Sequence, residues 1–141
     1  MPTRNAEATW KGTLQGGDGA YKGESGTLGG TYSFGTRFGD ERGSNPEELL
    51  AAAHAACFSM ALSGLLEKPV WNPESVKTEA ACTVEKVGQG FKITTMELRT
   101  RVRASGLDEA KFQEAAQNAK TGCPVSQALA GVDIKLDAAL E

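Results

Sequence analysis

Hydrophobic and polar residues alternate along several stretches of this chain, and each such stretch predicts a β-strand. Near the start, residues 6–14 alternate loosely, and residues 16–44 combine short alternating runs with closely spaced glycines. Residues 75–87 and 91–104 alternate over longer stretches, and residues 132–138 alternate near the end. A period of two is typical of strands that bury one face. The pattern predicts short strands joined by glycine turns, then a long hairpin whose second strand changes phase at a bulge near Thr94–Thr95, then a closing strand.

One segment differs, because its apolar residues are spread around the whole circumference of a predicted helix. Asn45 is a suitable N-cap, Pro46 fits the first helical position, and Lys68-Pro69 predicts an end near Glu67. A helix that is apolar on all sides must be covered on most of its surface. One sheet from a chain of 141 residues covers only one side. We therefore expect a homodimer in which a second copy covers the other side.

Two shorter helices are predicted between the long hairpin and the closing strand. The first opens near Asp108 and ends with Gly122 as its C-cap. The second opens at Cys123-Pro124 and covers PVSQALA. The apolar face of the first helix follows the i, i+3, i+4, i+7 spacing and consists of Phe112, Ala115, Ala116 and Ala119. The order of elements predicts an α+β fold, and residues 1–141 are expected to form a single domain.

Composition and charge exclude some classes of partner. The chain is 40% hydrophobic and 23% charged, with a net charge of −3. This balance gives no electrostatic reason to bind nucleic acid or an anionic membrane. The first residues contain no apolar signal segment, and we expect a cytoplasmic protein. Residues 49–66 are apolar enough to raise the question of a membrane span, but His54, Ser59 and Ser63 interrupt them, which favours a buried helix of a soluble protein.

Three cysteines are too few for a static disulfide framework and are candidates for packing, metal binding or redox chemistry. Cys123 precedes a proline at a predicted helix start, where the helix N-terminus stabilises a thiolate, although it also fits a simple capping role. Cys82 lies on the apolar face of a predicted strand and is interpreted as a core residue.

Cys57 lies about three turns inside the long helix, too far for the N-terminal dipole to activate it. A reactive Cys57 needs a cation from elsewhere, and the candidates are Arg37, Arg42 and His54. His54 is one turn before Cys57, so a Cys57–His54 nucleophile pair is one alternative. A zinc site is another, with ligands drawn from His54, Cys57, Cys82 and Cys123, but the chain has no CxxC spacing.

Glu47 has two interpretations. As a carboxylate in the first turn, it stabilises the long helix. It also lies ten residues before Cys57, about 15 Å away along one straight helix, so the two side chains of one chain cannot touch. If both serve one site, Glu47 is expected to come from the partner chain.

Two segments together resemble one family of proteins. SNPEELLAAAHAACFSMALS (residues 44–63) and AKTGCPVSQAL (residues 119–129) are similar to the OsmC and organic hydroperoxide resistance (Ohr) family of peroxidases. The resemblance extends over essentially the whole chain. It implies curved antiparallel sheets that enclose central helices in an intertwined homodimer, with active sites at the interface.

The resemblance also implies roles for particular residues. Cys57 matches the peroxidatic cysteine, Cys123 the resolving cysteine and Glu47 the active-site glutamate. Arg37 matches the active-site arginine, with Arg42 as the alternative. The implied reaction is the reduction of organic hydroperoxides, and of hydrogen peroxide less efficiently, in defence against oxidative and osmotic stress.

In the implied cycle, Cys57 becomes a sulfenic acid and condenses with Cys123 to a disulfide, which an external dithiol reduces. The implied reductant is a lipoyl group or lipoylated protein, and no metal, flavin or haem is needed. Two other functions stay open at this stage. One is hydrolysis or acyl transfer by Cys57 and His54, and the other is a non-enzymatic dimer that binds a small apolar ligand.

Overall fold

The structure, a computed structural model, describes residues 1–67 and 71–141 and divides into two compact units, Met1–Leu49 and Leu50–Glu141. The predicted helix stop at Lys68-Pro69 lies outside the described residues. The helices and strands of the structure match the predicted α+β class. That residues 1–141 act as a single domain stays a prediction.

The first unit is built on a three-stranded antiparallel sheet. Its strands are β1 (Ala6–Lys11), β2 (Asp18–Gly23) and β3 (Gly29–Tyr32), in the order β1-β2-β3. β1 is shorter than predicted, because the chain turns at Gly12, whose φ of 94° favours glycine. After β3 comes a short helix, α1 (Phe34–Phe38), where sequence analysis predicted only strands and turns.

The long helix, α2 (Pro46–Leu66), begins in the first unit and continues into the second. Its predicted start is confirmed, because Asn45 Oδ1 accepts the N–H of Glu48 at 2.8 Å. Among the described residues, it is the one helix long and apolar enough to span a membrane. Its middle is instead occupied by contacts within the chain, since Phe58 and Leu62 are fully buried in the core and His54 is buried against Ser126.

The second unit combines a three-stranded sheet with two more helices. The elements are β4 (Ser75–Val87), β5 (Gly90–Arg103), α3 (Glu109–Gly122), α4 (Pro124–Ala128) and β6 (Asp133–Leu140). β4 and β5 form the predicted hairpin, and its register shifts so that Thr83 faces Thr95 and Val84 faces Ile93, which confirms the bulge at Thr94. The buried core joins α2, β5 and α3 through Phe58, Leu62, Leu66, Met96, Leu98, Val102, Phe112 and Ala116.

One strand pairing differs from the expected antiparallel sheets. β6 pairs with β5 in parallel, from Thr95–Asp133 to Val102–Leu140. A parallel neighbour needs a crossover connection, and α3 with α4 supplies it. This crossover carries Cys123 in the turn between its two helices, so the topology of the sheet determines where that cysteine lies.

Candidate active site

Cys57 and Cys123 meet within the second unit. The Sγ of Cys123 lies 2.7 Å from the Sγ of Cys57, although 66 residues separate the two in sequence. Both are free thiols, with Cys123 fully buried and Cys57 partly exposed. Whether these two sulfurs are close enough to bridge could not be predicted from the sequence, and the structure places them in direct contact.

Cys123 is both the C-cap of α3 and the N-cap of α4. The expected C-cap, Gly122, is instead the last residue of α3. Burial alone would raise the pKa of the Cys123 thiol. Hydrogen bonds from the Cys57 thiol, from the backbone N–H and the hydroxyl of Ser126, and from the backbone N–H of Val125 outweigh burial, so the pKa is lowered. The predicted stabilisation of a thiolate at this helix start therefore has a set of named donors.

Cys57 has the opposite tendency. Burial, together with the hydrogen bond and the negative charge of Cys123, raises the pKa of the Cys57 thiol, and the backbone N–H of Val125 only partly offsets this. Within the second unit, Cys123 is therefore the more acidic thiol of the pair. A reactive Cys57 thiolate needs a further positive group, as the sequence indicated.

His54 does not activate Cys57. Its Nε2 lies 2.7 Å from the Oγ of Ser126, and none of the described residues hydrogen-bonds to its Nδ1. Burial lowers the pKa of His54, so the ring is neutral at physiological pH. A Cys–His nucleophile pair requires a hydrogen bond between the two side chains, and neither ring nitrogen makes it. Sequence analysis missed Ser126, because a serine in a short helix has no pattern that links it to a histidine 72 residues away.

Arg37 and Glu47 form an ion pair within the first unit. Arg37 Nε donates to both carboxylate oxygens of Glu47, at 3.1 and 3.2 Å, and Nη2 donates to Oε1 at 2.9 Å. Glu47 is only 5% exposed, and such a side-on, forked contact fixes the plane of the guanidinium. The alternative arginine, Arg42, is exposed in the following loop. The geometry thus favours Arg37 over Arg42 as the partner of Glu47.

The short helix α1 determines the position of Arg37. Ser33 caps it by accepting the N–H of Thr36 at 3.2 Å, and Thr36 Oγ1 accepts the N–H of Ser33 at 2.8 Å. This reciprocal pair is a capping box, which places Arg37 in the last turn. The Ser-x-x-Thr spacing was the sequence signal for this helix.

A pocket of about 240 Å³ lies beside Arg37 in the first unit. Its walls are mostly aromatic, and the Arg37 guanidinium lies 5.1 Å from the ring centre of Phe38. Such walls favour an apolar group next to a positive charge. The lining residues are Trp10, Leu14, Tyr32, Ser33, Phe34, Arg37 and Phe38.

Cys82 has a different role from the other two cysteines. It is partly buried on the inward face of β4 and packs against the hydrophobic core, in keeping with the structural interpretation. In the described part of the chain, no three His, Cys, Asp or Glu side chains are grouped closely enough to hold a metal ion. The geometry therefore gives the zinc alternative no support.

Comparisons with known proteins agree with the resemblance. The family described as "OsmC-like protein" matches residues 39–137. Peroxiredoxin OsmC of Escherichia coli is 46% identical over 135 residues, which cover 95% of this chain and 94% of that protein. The crystal structure of the organic hydroperoxide resistance protein OhrB of Bacillus subtilis superposes with a TM-score of 0.69 at 28% identity, and covers 96% of this chain and 98% of that one. An organic hydroperoxide resistance protein from Elizabethkingia anophelis shares the fold, with a TM-score of 0.75 at 23% identity over 99% of both chains. The chain therefore belongs to the OsmC family.

Proposed function

We propose that this protein is a thiol-dependent peroxidase that reduces organic hydroperoxides through Cys57 and Cys123. The observation that carries the proposal is the 2.7 Å contact between the two sulfurs, of which Cys57 is partly exposed and Cys123 is fully buried. A pair of free thiols in direct contact is poised to form a disulfide once one of them is oxidised. The names of the relatives, a peroxiredoxin and organic hydroperoxide resistance proteins, support the same activity.

The reaction has two steps in this proposal. The Cys57 thiolate attacks the distal oxygen of ROOH, the O–O bond breaks, and the alkoxide takes up from solvent the proton that the Cys57 thiol had released and leaves as ROH. Cys57 is then a sulfenic acid. The Cys123 sulfur attacks the Cys57 sulfur, the S–O bond breaks, and the proton lost by Cys123 leaves with the hydroxyl group as water. The hydroperoxide is reduced by two electrons, and the two thiols are oxidised to one disulfide.

Arg37 is assigned the positive charge that Cys57 needs. The guanidinium, held in plane by Glu47, stabilises the thiolate before attack and the developing charge on the leaving RO oxygen. Because Glu47 and Cys57 are ten residues apart on one helix, we assign the Arg37–Glu47 pair of one protomer to the Cys57 of the other in a homodimer. Exposed apolar side chains on α2, such as Met60, support a dimer.

Several finer assignments belong to the same proposal. The aromatic pocket beside Arg37 favours organic hydroperoxides over hydrogen peroxide. The disulfide is regenerated by a lipoyl group or another dithiol, in a cytoplasmic protein that defends the cell against oxidative and osmotic stress. Hydrolysis by Cys57 and His54 has no support in the hydrogen bonds of His54.

Rapid mixing of the reduced protein with cumene hydroperoxide, followed by peptide mapping, tests the proposal. We expect one ROH for each Cys57–Cys123 disulfide. Cys57→Ser should abolish peroxide consumption, and Cys123→Ser should stop the reaction at the sulfenic acid. Cys82→Ser is the matched control and should behave as the wild type. Full turnover by Cys57→Ser, or slow oxidation of all three thiols, would favour a non-enzymatic dimer that binds an apolar ligand.

A further inference from the structure

The buried contact between His54 and Ser126 has no part in the reaction as proposed above. His54 is fully buried, Ser126 is 5% exposed, and their side chains meet at 2.7 Å. Burying a polar ring with one nitrogen unpaired costs free energy that a leucine in the same place would not. A specific role for the contact would account for a histidine here.

The contact belongs to an open ring of four side chains, in which no hydrogen bond joins His54 to Cys57. α2 contributes His54 and Cys57, three residues apart, and the turn into α4 contributes Cys123 and Ser126, also three apart. Cys57 touches Cys123, His54 touches Ser126, and the hydroxyl of Ser126 hydrogen-bonds to the sulfur of Cys123. The ring therefore leads from the imidazole through the hydroxyl to the sulfur of Cys123.

The unpaired nitrogen of His54 determines the direction of these hydrogen bonds. Buried N–H groups without an acceptor are rarer in proteins than buried acceptors without a donor, so we assign the ring the tautomer with no hydrogen on Nδ1. Nε2 then carries the hydrogen and donates it to the Oγ of Ser126. Since Oγ accepts that bond, the hydroxyl hydrogen of Ser126 is directed to Cys123.

We propose, on the basis of the function proposed above, that Ser126 is a catalytic residue of the disulfide-forming step and that His54 is its positioning residue. Once the Cys57 sulfenic acid has formed, the Ser126 hydroxyl donates to the Cys123 thiolate and holds it toward the Cys57 sulfur. When the S–S bond forms and the S–O bond breaks, the negative charge moves from Cys123 to the leaving hydroxide, which takes up from solvent the proton that Cys123 had released and departs as water. Ser126 keeps its own proton throughout.

Two side chains in the described part of the structure, Cys57 and Ser126, donate to Cys123, and only Ser126 is unchanged when Cys57 is oxidised. Cys57 on α2 faces Cys123 directly, whereas His54 on α2 contacts Ser126. From its own turn, Cys123 faces Ser126 and the backbone N–H of Val125. Among the described residues, no charged Lys, Arg, Asp or Glu side chain contributes to the lowered pKa of Cys123. Loss of the Ser126 hydroxyl should therefore directly raise the pKa of Cys123.

The size of the effect follows from the chemistry of thiols. Loss of one hydrogen bond to a thiolate raises the pKa of the thiol, and at a pH below the wild-type pKa this lowers the thiolate fraction about 10- to 100-fold. The remaining thiolate is more nucleophilic, which restores nearly half of that loss on a logarithmic scale. For Ser126→Ala, disulfide formation should be about 3- to 10-fold slower on the rising, low-pH part of its pH–rate profile, and the profile should move to higher pH with a higher plateau.

Single-turnover oxidation with cumene hydroperoxide separates the two steps, since dimedone traps the Cys57 sulfenic acid and mass spectrometry counts the disulfide. In Ser126→Ala, we expect the sulfenic acid at the wild-type rate and the disulfide late, with the shifted profile. Ser126→Thr, which keeps the hydroxyl, should restore the profile. His54→Gln, which keeps an N–H at the place of Nε2, should lie near the wild type, whereas His54→Leu should resemble Ser126→Ala.

A control and an independent measurement complete the test. Ser59→Ala removes another partly buried hydroxyl bond on α2, to Thr78 at 2.7 Å, and should leave the profile unchanged. In a Cys57→Ser background, thiolate absorbance near 240 nm should show that Ser126→Ala raises the pKa of Cys123. If Ser126→Ala slows disulfide formation equally at every pH, or not at all, while the wild type is oxidised normally, the role of Ser126 is wrong. If hydroperoxide does not oxidise wild-type Cys57, the peroxidase proposal fails, and the disulfide-forming role falls with it even when the absorbance shift is present.

Discussion

At the scale of single residues, Arg37 is the side chain on which the activation of Cys57 depends in the proposed mechanism. Arg37→Met removes the charge and all three hydrogen bonds to Glu47. Loss of one preorganised donor to a developing negative charge typically lowers kcat by about 10²- to 10³-fold, and we expect a decrease of that order in the rate of Cys57 oxidation. Stopped-flow oxidation with cumene hydroperoxide measures it.

Arg37→Lys is the matched variant for this prediction. Lysine keeps the charge but lacks the planar fork that contacts both oxygens of Glu47, so the rate should be intermediate. Arg42→Met removes an exposed arginine of the same segment and should leave the rate unchanged. A large loss in Arg42→Met with a normal rate in Arg37→Met would reverse the assignment.

The two thiols should also give the reduced protein a pH-dependent stability. The pKa of Cys123 is lowered by folding, so its contribution is present above the pKa of an unfolded thiol, about 8.5, and is lost as the pH falls through its folded value. The pKa of Cys57 is raised, so its effect begins above about pH 8.5 and lowers stability as the pH rises further. Urea unfolding of the reduced wild type and of Cys123→Ser should show a difference in free energy of unfolding that grows toward pH 8.5. A difference that shrinks over that range would contradict the lowered pKa of Cys123.

Whether the role of a residue could be predicted depended on how far away in sequence its contact partners lie. The capping role of Cys123 follows from its own neighbours, Gly122 and Pro124, because helix ends are determined locally. The contact of His54 with Ser126 spans 72 residues, and no local pattern encodes it. The same holds for the contact of Cys57 with Cys123, which the resemblance implied and local reasoning did not.

At the scale of elements, Asn45 connects the start of α2 to α1. Its Oδ1 accepts the N–H of Glu48 at 2.8 Å, and its Nδ2 donates to the carbonyl of Thr36 at 2.9 Å. Asn45→Ala removes both bonds and should lower the free energy of unfolding by about 1–2 kcal/mol. Asn45→Asp keeps the cap and loses only the bond to Thr36, so it should lose about half as much. Urea denaturation measures both, and equal losses would show that the cap itself contributes little.

The elements that were predicted correctly are those with a long repeating pattern. β4 and β5 alternate over more than ten residues, and the change of phase at Thr94 located the bulge. α1 has five residues, too few to show a helical period, and glycines on both sides suggested turns. The parallel pairing of β6 with β5 depends on the path of the crossover, which alternation in a single strand does not contain.

At the scale of the whole molecule, α2 retains the uncovered apolar surface that led us to expect a dimer. Met60 is 81% exposed and Leu65 47% exposed. Met60→Glu would bury an unpaired charge in a dimer interface, which costs several kcal/mol, so sedimentation should shift from dimer to monomer. Leu28→Glu, at an exposed leucine between β2 and β3, is the control and should stay dimeric. A monomeric wild type would contradict the dimer.

Mixing two inactive variants would decide whether the two halves of the proposed site come from different protomers. Cys57→Ser keeps Arg37 and Glu47, and Arg37→Met keeps Cys57. After unfolding and random reassociation, half of the dimers are heterodimers. If the site is shared across the interface, each heterodimer contains one intact site. Activity should therefore return to about a quarter of the wild-type value, because half of the dimers have one intact site out of two. A site built within one protomer would always lack either the thiol or the guanidinium, and the mixture would stay inactive. Native gels of differently tagged chains would confirm that the heterodimer had formed, so an inactive mixture would assign Arg37 to the Cys57 of its own chain.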